Sequence, residues 1–562
     1  MRDDGRQTPS LHANCWSRFR AMKTCRVSKR LLLRPGGGAF ILGLVVTACL
    51  TVRPAPADEA AVTRAMIVAA STDDEIASWY REAGYRRIWT GVSPGDVRRR
   101  QALFAALETA PDHGLPEARY DAKGLKEAFK TARTAGDVGR LEIGMARAYL
   151  AWARDVSTGL LDPGKTDPTI VREIARAEPE ALLDSIAANG PVEVLRELLP
   201  RSNSYAELAR ARLDLLEIVA TGGWGAPIAG DGLKPGHEGD EVVALRDRLI
   251  RMGYLPRSAT RQYDRTIRAA ISRFQAAHDL PETGIADAGT LAEINISPVE
   301  RLKSITIAME RERWMRIDRS GYMIWVNLPE FSTRIMADGL TEFRTRSVIG
   351  REDIGRRTPE FSDEMAHMVV NPSWNVPRSI IVQEYLPQLR KNPNAIGHLQ
   401  VVDRRGQAIS RGSVNFNAYS DKSFPFGMRQ PPGTSNALGR IKFMFPNKYN
   451  IYLHDTPSKS LFNEERRAFS HGCIRLADPI DFAHNLLRIQ TGMSDREFRT
   501  ILDSGRESSI PLRQKIPIHL VYFTAYPEAR GRIHYWRDVY QRDERLWASM
   551  AAAGVEVPAL SR

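Results

Sequence analysis

The sequence predicts a multidomain α+β protein, with helices through its first half and a mostly β region after about residue 320. Three observations predict it. The chain has 562 residues, about four times the length of a typical single domain. Apolar residues recur at spacings of three and four from Thr72 to about Thr221, which is helical periodicity. Beyond about Gly321 the period changes to two, the alternation of half-buried strands. A hydrophobic content of 43% and a charged content of 26% exclude a mostly disordered, collagen-like or multi-span membrane chain.

Residues 1–57 read as an export signal: a basic stretch, the apolar run Ala39 to Val52, then Ala55-Pro56-Ala57 as an A-x-A cleavage pattern. Fourteen residues are short of the roughly 20 that a spanning helix needs. The basic leader is long, and a start at Met22 gives a signal of ordinary size. Val46-Thr47-Ala48-Cys49 also resembles a lipobox, which would make Cys49 a lipid anchor; either route leads out of the cytoplasm. The formal charge of +13 is concentrated here, where ten Lys or Arg face only Asp3 and Asp4. The other 505 residues carry +5, which makes no case for a nucleic-acid partner. Cys15, Cys25 and Cys49 fall in the same segment, so Cys473 is left as a lone exported thiol with no disulfide partner.

Residues 72–235 read as a helical scaffold with no polar constellation that suggests chemistry. The Gly- and Pro-containing stretch 222–239 reads as a linker or boundary. A compact unit follows at 238–296: Val242, Leu245, Leu249 and Met252 make one helical stripe, Asp264 caps a second helix with Ile267, Ala270, Ile271 and Phe274, and Asp287 precedes a third. Residues 297–320 return to the scaffold or link onward. Residues 321–526 read as the β domain, with strands near Tyr322–Leu328, Thr333–Met336, Arg344–Ile349, Met368–Asn371, Lys442–Phe445, Ile451–His454 and Ile518–Phe523. Residues 371–433 are too long for a hairpin loop and read as an insertion with its own structure, in which Trp374, Phe424 and Phe426 are packing residues. Residues 527–562 form a hairpin-like ending, read as sheet edge, and a tail from about Asp543 with no assignable role.

Two short pieces carry chemistry: Tyr452-Leu453-His454-Asp455-Thr456-Pro457 and Ser470-His471-Gly472-Cys473-Ile474-Arg475-Leu476. Strand alternation puts Tyr452 and His454 on one face with Ile451 and Leu453 on the other, so the imidazole is held rigidly toward a site. Gly472 lets backbone N–H groups approach a substrate beside the sulfur. Asp478 and Pro479 open a helix five residues beyond the sulfur, too far for its dipole to be a main influence. A free thiol has a pKa near 8.5, so nucleophilic catalysis needs a neighbouring base or cation, and His454, His471 and Arg475 are the candidates.

The segment LRDRLIRMGYLP with YDRTIRAAISRFQAAHDLPETGIADAGTLAEIN resembles the three-helix peptidoglycan-binding domain, with Phe274-Gln275 and Gly284 to Thr290 as its clearest marks. His454 with Ser470 through Arg475, flanked by Val369–Pro377, Pro431–Phe443 and Leu453–Leu476, resembles the L,D-transpeptidase family, in particular its large Gram-negative members with scaffold, peptidoglycan-binding domain and capping insertion. The resemblance implies a mostly β L,D-transpeptidase catalytic domain in which Cys473 is the nucleophile, His454 the general base and the Asp455 backbone carbonyl the group that orients the imidazole. It implies that His471 and Gly472 shape the loop, that the Cys473 N–H contributes to an oxyanion hole, and that Arg475 holds either the loop or a substrate carboxylate. It further implies 3,3 cross-linking of peptidoglycan: a thioester formed on a tetrapeptide donor with release of D-Ala, then resolved by the diaminopimelate amine of a neighbouring stem. Stem peptides and glycan strands are the partners it implies, carbapenem-type compounds the inhibitors, and the periplasm the compartment. No cofactor is expected.

Three other readings compete. His454, His471 and Cys473 could be metal ligands, but they lack the paired cysteines or recognisable spacing of zinc sites, so no metal is expected. A non-catalytic peptidoglycan-binding protein would not need both His454 and Cys473. An L,D-carboxypeptidase or endopeptidase shares the acyl-enzyme and differs only in the acceptor. His367, His398, His484, His519 and His534 have no motif around them and default to structural roles.

Overall fold

The computed structural model describes residues 58–490, 492–528 and 531–558, so the export-signal reading of residues 1–57 lies outside it. Helices at Pro94–Glu108 and Ala135–Thr158 each start with a capping box, Ser93 with Asp96 and Thr134 with Asp137, which satisfies backbone N–H groups that a helix start leaves bare. The long second helix buries Tyr149 and Trp152 against Trp79, Tyr80 and Trp89 in the scaffold core. One charged residue sits inside that core. Glu142 is fully buried and accepts hydrogen bonds of 2.7–3.2 Å from the Ile88, Trp89 and Thr90 N–H groups and from the Tyr80 and Thr90 hydroxyls. Every lone pair is used, so this carboxylate stitches a loop to the helix.

The Gly-rich stretch 222–239 is not a free linker, which corrects the sequence reading. Trp224 packs into the core between helices Asn203–Ala220 and Pro298–Met315. The Ile228 N–H and C=O bracket the Asn295 side chain at 2.7 and 2.8 Å, and Gly232–Leu233 pairs with Ala286–Asp287. Residues from about 228 are thus packed onto the three-helix unit at 238–296. Its helices are Asp240–Arg251, Arg265–Ala277 and Ala288–Ile294, with Asp264 and Asp287 as side-chain caps of the second and third. Gln275 is buried beneath the following turn, donating to Ile285 O and Thr290 Oγ1 and accepting from the Gly284 N–H.

Helix Pro298–Met315 is sheathed by other elements, and four successive charged residues, Glu310 to Arg313, are buried on it. Each has a charged partner. Glu310 holds Arg313 at 2.8 Å and the Leu161 N–H; Arg311 reaches Glu360 at 2.7 Å and Asp543 at 3.1 Å; Glu312 takes Arg319 and Ser202. This helix thus bolts scaffold, β domain and C-terminal helix together.

Among the described residues the main sheet of the β domain has nine strands: β1 Tyr322–Asn327, β2 Ser332–Ala337, β3 Leu340–Gly350, β4 Phe361–Val370, β5 Ile441–Met444, β6 Leu453–His454, β7 Ala468–Ser470, β8 Ile474–Leu476 and β9 Ser508–Val521. They lie in the order β7-β3-β8-β6-β5-β4-β9-β1-β2, and β2 also pairs with β3. The sheet closes on itself because β3 is long enough to pair with β2 through residues 340–346 and with β8 through residues 347–348. Inside pack Ile324, Met368, Phe443, Leu453 and Ile474, with helix Pro479–Gln490 supplying Phe482 and Leu486. The insertion between β4 and β5 has its own core of Trp374, Leu386, Leu389, Phe416, Phe424 and Met428.

Two readings of the C-terminus are corrected. Residues 518–523 belong largely to β9, an interior strand between β4 and β1, while Ala525–Pro527 and Ile533–Tyr535 form a two-stranded pair of their own, so neither completes an edge of the main sheet. The tail is a helix, Arg542–Ala552, and Arg542 is fully buried, donating to Glu360, Thr169 and the Thr358 carbonyl.

Candidate active site

Cross-strand register builds the site. β6 and β8 are parallel with His454 opposite Arg475 and Leu453 opposite Ile474, and β5 runs on the other side of β6 with Lys442 opposite His454. Side chains alternate along strands, so Lys442, His454 and Arg475 share one face, and Tyr452 and Cys473 at the strand starts continue it. Phe443, Leu453 and Ile474 point the other way into the core. Hydrophobic burial on one face thus fixes which residues meet on the other.

The imidazole is oriented by a backbone carbonyl: His454 Nδ1 lies 2.5 Å from Asp455 O. A carbonyl only accepts, so Nδ1 carries the proton and Nε2 is left as the acceptor. The Asp455 carboxylate holds that carbonyl in place by accepting from the Arg440 and Thr456 N–H groups at 2.8 and 2.7 Å and from Lys459 Nζ at 2.8 Å. Burial, reinforced by Arg475 and opposed by the Asp455 contact, holds the imidazole down to about 3, so it is neutral at physiological pH.

The cysteine loop is wired from beneath. Ser470 Oγ accepts from the Gly472 N–H at 3.1 Å and donates to Cys473 O at 2.5 Å. Thr358 Oγ1 donates to Gly472 O at 2.8 Å and accepts from the Gly350 N–H at 2.9 Å, and the Tyr540 hydroxyl donates to Gly350 O at 2.6 Å. Gly472 has φ +117, and a Cβ there would stand 3.1 Å from the Ile451 Cδ1, so glycine is required. His471 Nε2 meets Glu384 Oε1 of the insertion at 2.7 Å, and Arg356 donates to the same oxygen at 2.8 Å. The capping subdomain is thereby pinned to the residue two before the nucleophile.

Cys473 is half-buried, and its thiol donates to Asn450 O at 3.5 Å rather than to His454. Burial pushes the thiol up to about 11. The Tyr452 backbone N–H and hydroxyl, Arg475 and Lys442 oppose that rise. The resting pair is therefore neutral thiol and neutral imidazole, which fits His454 as a general base, and the thiol must turn from Asn450 toward His454 to be deprotonated. The Arg475 guanidinium has no carboxylate partner among the described residues, and its buried Nε has no acceptor.

Reading residue types alone missed Lys442, Tyr452 and Glu384 as site residues. Lys442 lies on a separate strand and Glu384 in the insertion, so only sheet register and insertion docking bring them in; Tyr452 was legible as sharing the His454 face. Trp374 belongs to the insertion core and its indole also acts on the Tyr452 hydroxyl.

Comparison with known proteins bears on this geometry. Residues 321–499 match the family model described as "L,D-transpeptidase catalytic domain", residues 74–211 that of the "Scaffold domain", and residues 238–294 that of the "Putative peptidoglycan binding domain". A curated protein of Haemophilus influenzae named "Putative L,D-transpeptidase" is 34% identical over 253 residues, 44% of this chain and 50% of that protein. The chain thus spans about half the length of this curated relative. A crystal structure of an L,D-transpeptidase from Xylanimonas cellulosilytica is similar at 15% identity, covering 52% of this chain and all of that one, with a TM-score of 0.17, too low to bear on the fold. Residues 321–499 are thus an L,D-transpeptidase catalytic domain, carried in a chain that also has a scaffold domain and a peptidoglycan-binding-type module.

Proposed function

We propose that this protein is a cysteine-dependent L,D-transpeptidase that forms 3,3 cross-links in peptidoglycan, exported to the periplasm by its N-terminal segment. The observation that carries the reading is the imidazole whose Nδ1 is fixed on Asp455 O, which leaves Nε2 as an acceptor on the strand paired with the one that follows Cys473. His454 takes the thiol proton as Cys473 attacks the carbonyl between the third stem residue and D-Ala. The Cys473 N–H supports the developing oxyanion, a contact whose loss typically costs about 3 kcal/mol. The proton passes to the departing D-Ala amine, and a thioester remains. The diaminopimelate amine of a second stem then attacks the thioester, His454 accepts its proton, and the amide bond forms as the thiolate leaves and is reprotonated. The insertion, pinned through Glu384, shields the thioester from water and so favours amine over hydrolysis.

Incubation with purified tetrapeptide-stem muropeptides, beside Cys473→Ala protein, tests this by mass spectrometry. Dimers with a 3,3 bond and released D-Ala support the proposal. Tripeptide monomers alone make the protein a carboxypeptidase, and identical products from Cys473→Ala overturn the role of the thiol. A carbapenem should leave a covalent adduct on Cys473 and on no other residue.

A further inference from the structure

A cavity of 420 Å³ lies where the three-helix module meets the β domain, and it shares no residue with the cysteine site. Its walls come from the turn after helix Arg265–Ala277 (Asp279), the β1–β2 connection (Glu330), β3 (Arg344 and Arg346), and the segment leading into the catalytic loop (Arg467). A second cavity of 230 Å³ shares Asp279 and Phe331 with it. The volume lies at the small end of the ~300–1,000 Å³ range of ligand pockets, room for an amino acid or a short peptide end.

The charges in the walls are only partly spent. Glu330 is claimed by Arg344 at 2.7 Å and by Arg334. Arg346 gives one N–H to Phe462 O at 2.8 Å. Arg467, 9% exposed, stacks over Phe331, gives one N–H to Glu464 O, and leaves its buried Nε without an acceptor. Neither guanidinium has a carboxylate partner among the described residues, and Asp279 likewise has no ion pair there. Two guanidinium groups, Arg346 and Arg467, and two carboxylates, Asp279 and Asp478, line the cavity with no ion pair among the described residues, Asp478 accepting only from the Thr345 hydroxyl; such a lining suits a ligand that carries both signs, since guanidinium matches carboxylate in a planar, two-pronged way.

We propose that this cavity is a second binding site, separate from the thiol, for a zwitterionic amino-acid terminus whose carboxylate is held by Arg346 and Arg467 and whose ammonium meets Asp279. The same chemistry is offered by a free amino acid and by the diaminopimelate end of a stem peptide. Because the Arg467 carbonyl accepts from the Ile349 N–H at 2.8 Å, next to strand β7, a ligand here touches the segment that leads to Cys473.

Titration calorimetry on full-length Cys473→Ala protein, which cannot turn over, tests the proposal. The probes are D-alanine, meso-diaminopimelate and a stem tripeptide ending in diaminopimelate; N-acetyl-D-alanine and D-alaninamide each lack one charge. Saturable binding is expected for at least one zwitterion, weakened at least tenfold in both blocked analogues. Asp279→Asn and Arg346→Met, both at exposed positions, should each weaken it at least tenfold with an unchanged melting temperature. Which probe saturates decides between free amino acid and peptide end. Absence of saturable heat from all three zwitterions, equal binding by the blocked analogues, or unchanged binding in both variants would overturn the site; the last result places the ligand elsewhere. Since the thiol plays no part, failure here leaves the acyl-transfer reading untouched.

Discussion

Cys473 should react slowly with iodoacetamide at neutral pH, and the burial of its sulfur sets how slowly. Burial pushes the thiol up to about 11, with Tyr452, Arg475 and Lys442 pulling the other way. A free thiol near 8.5 is about 10% ionised at pH 7.5, whereas one near 11 is ionised to roughly 0.03%, so alkylation should run about 300-fold slower than on a free cysteine. The sign follows from the charged form being the penalised one. The rate should climb about tenfold per pH unit from pH 7.5 to 10 and level off only above the shifted value. Arg475→Met removes a cation that favours the thiolate, so it should slow the reaction further at every pH below the plateau. His454→Gln should leave the midpoint in place, because the imbalance it would correct needs a charged imidazole, and this one is held down to about 3. Intact-mass spectrometry over a time course is a clean assay, since Cys473 is the only cysteine in residues 58–562. A rate that levels off with a midpoint at or below pH 8 would refute the reasoning and show a thiolate–imidazolium pair at rest.

Gly472→Ala should cut muropeptide turnover by on the order of 10–100-fold while barely shifting the melting temperature, because strain of about 1–3 kcal/mol at φ +117 is relieved by moving the cysteine loop. Glu360→Gln leaves Arg311 and Arg542 buried without their shared carboxylate and should cost about 3–5 kcal/mol, read as an earlier thermal unfolding transition. The control Glu364→Gln, from an exposed pair with Lys515, should leave that transition in place; equal shifts in the two variants would sink the argument. Glu384→Gln weakens the contact between insertion and His471, so the ratio of hydrolysed tripeptide to cross-linked dimer should rise several-fold with the total of both products little changed. An unaltered product ratio would mean that the contact does not govern water entry.

How much of this was legible varies with the range of the interaction. The caps at Asp264 and Asp287 could be read because a cap is a local bond between a side chain and an N–H two or three residues on. The opposed faces of Leu453 and His454 could be read because strand alternation is equally local. The segment Glu310 to Arg313 could not: four charges in a row suggest a solvated surface, and their burial depends on partners at positions 161, 360 and 543. Arg542 and Tyr540, in and beside a tail with no apparent role, brace Thr358 and Gly350 beneath the cysteine loop for the same reason.

The sequence by itself determined which residues are the candidates for the chemistry, because a nucleophile, a base and a glycine turn are specified by residue type and by spacing along one or two strands. Tertiary structure alone decided the state those residues are in. The thiol is neutral and aimed at Asn450, Lys442 joins from a neighbouring strand, and the insertion is tied to His471 through Glu384. Desolvation and cross-strand register depend on what packs around a group, and that is set by the closure of the whole β domain rather than by any local stretch of chain.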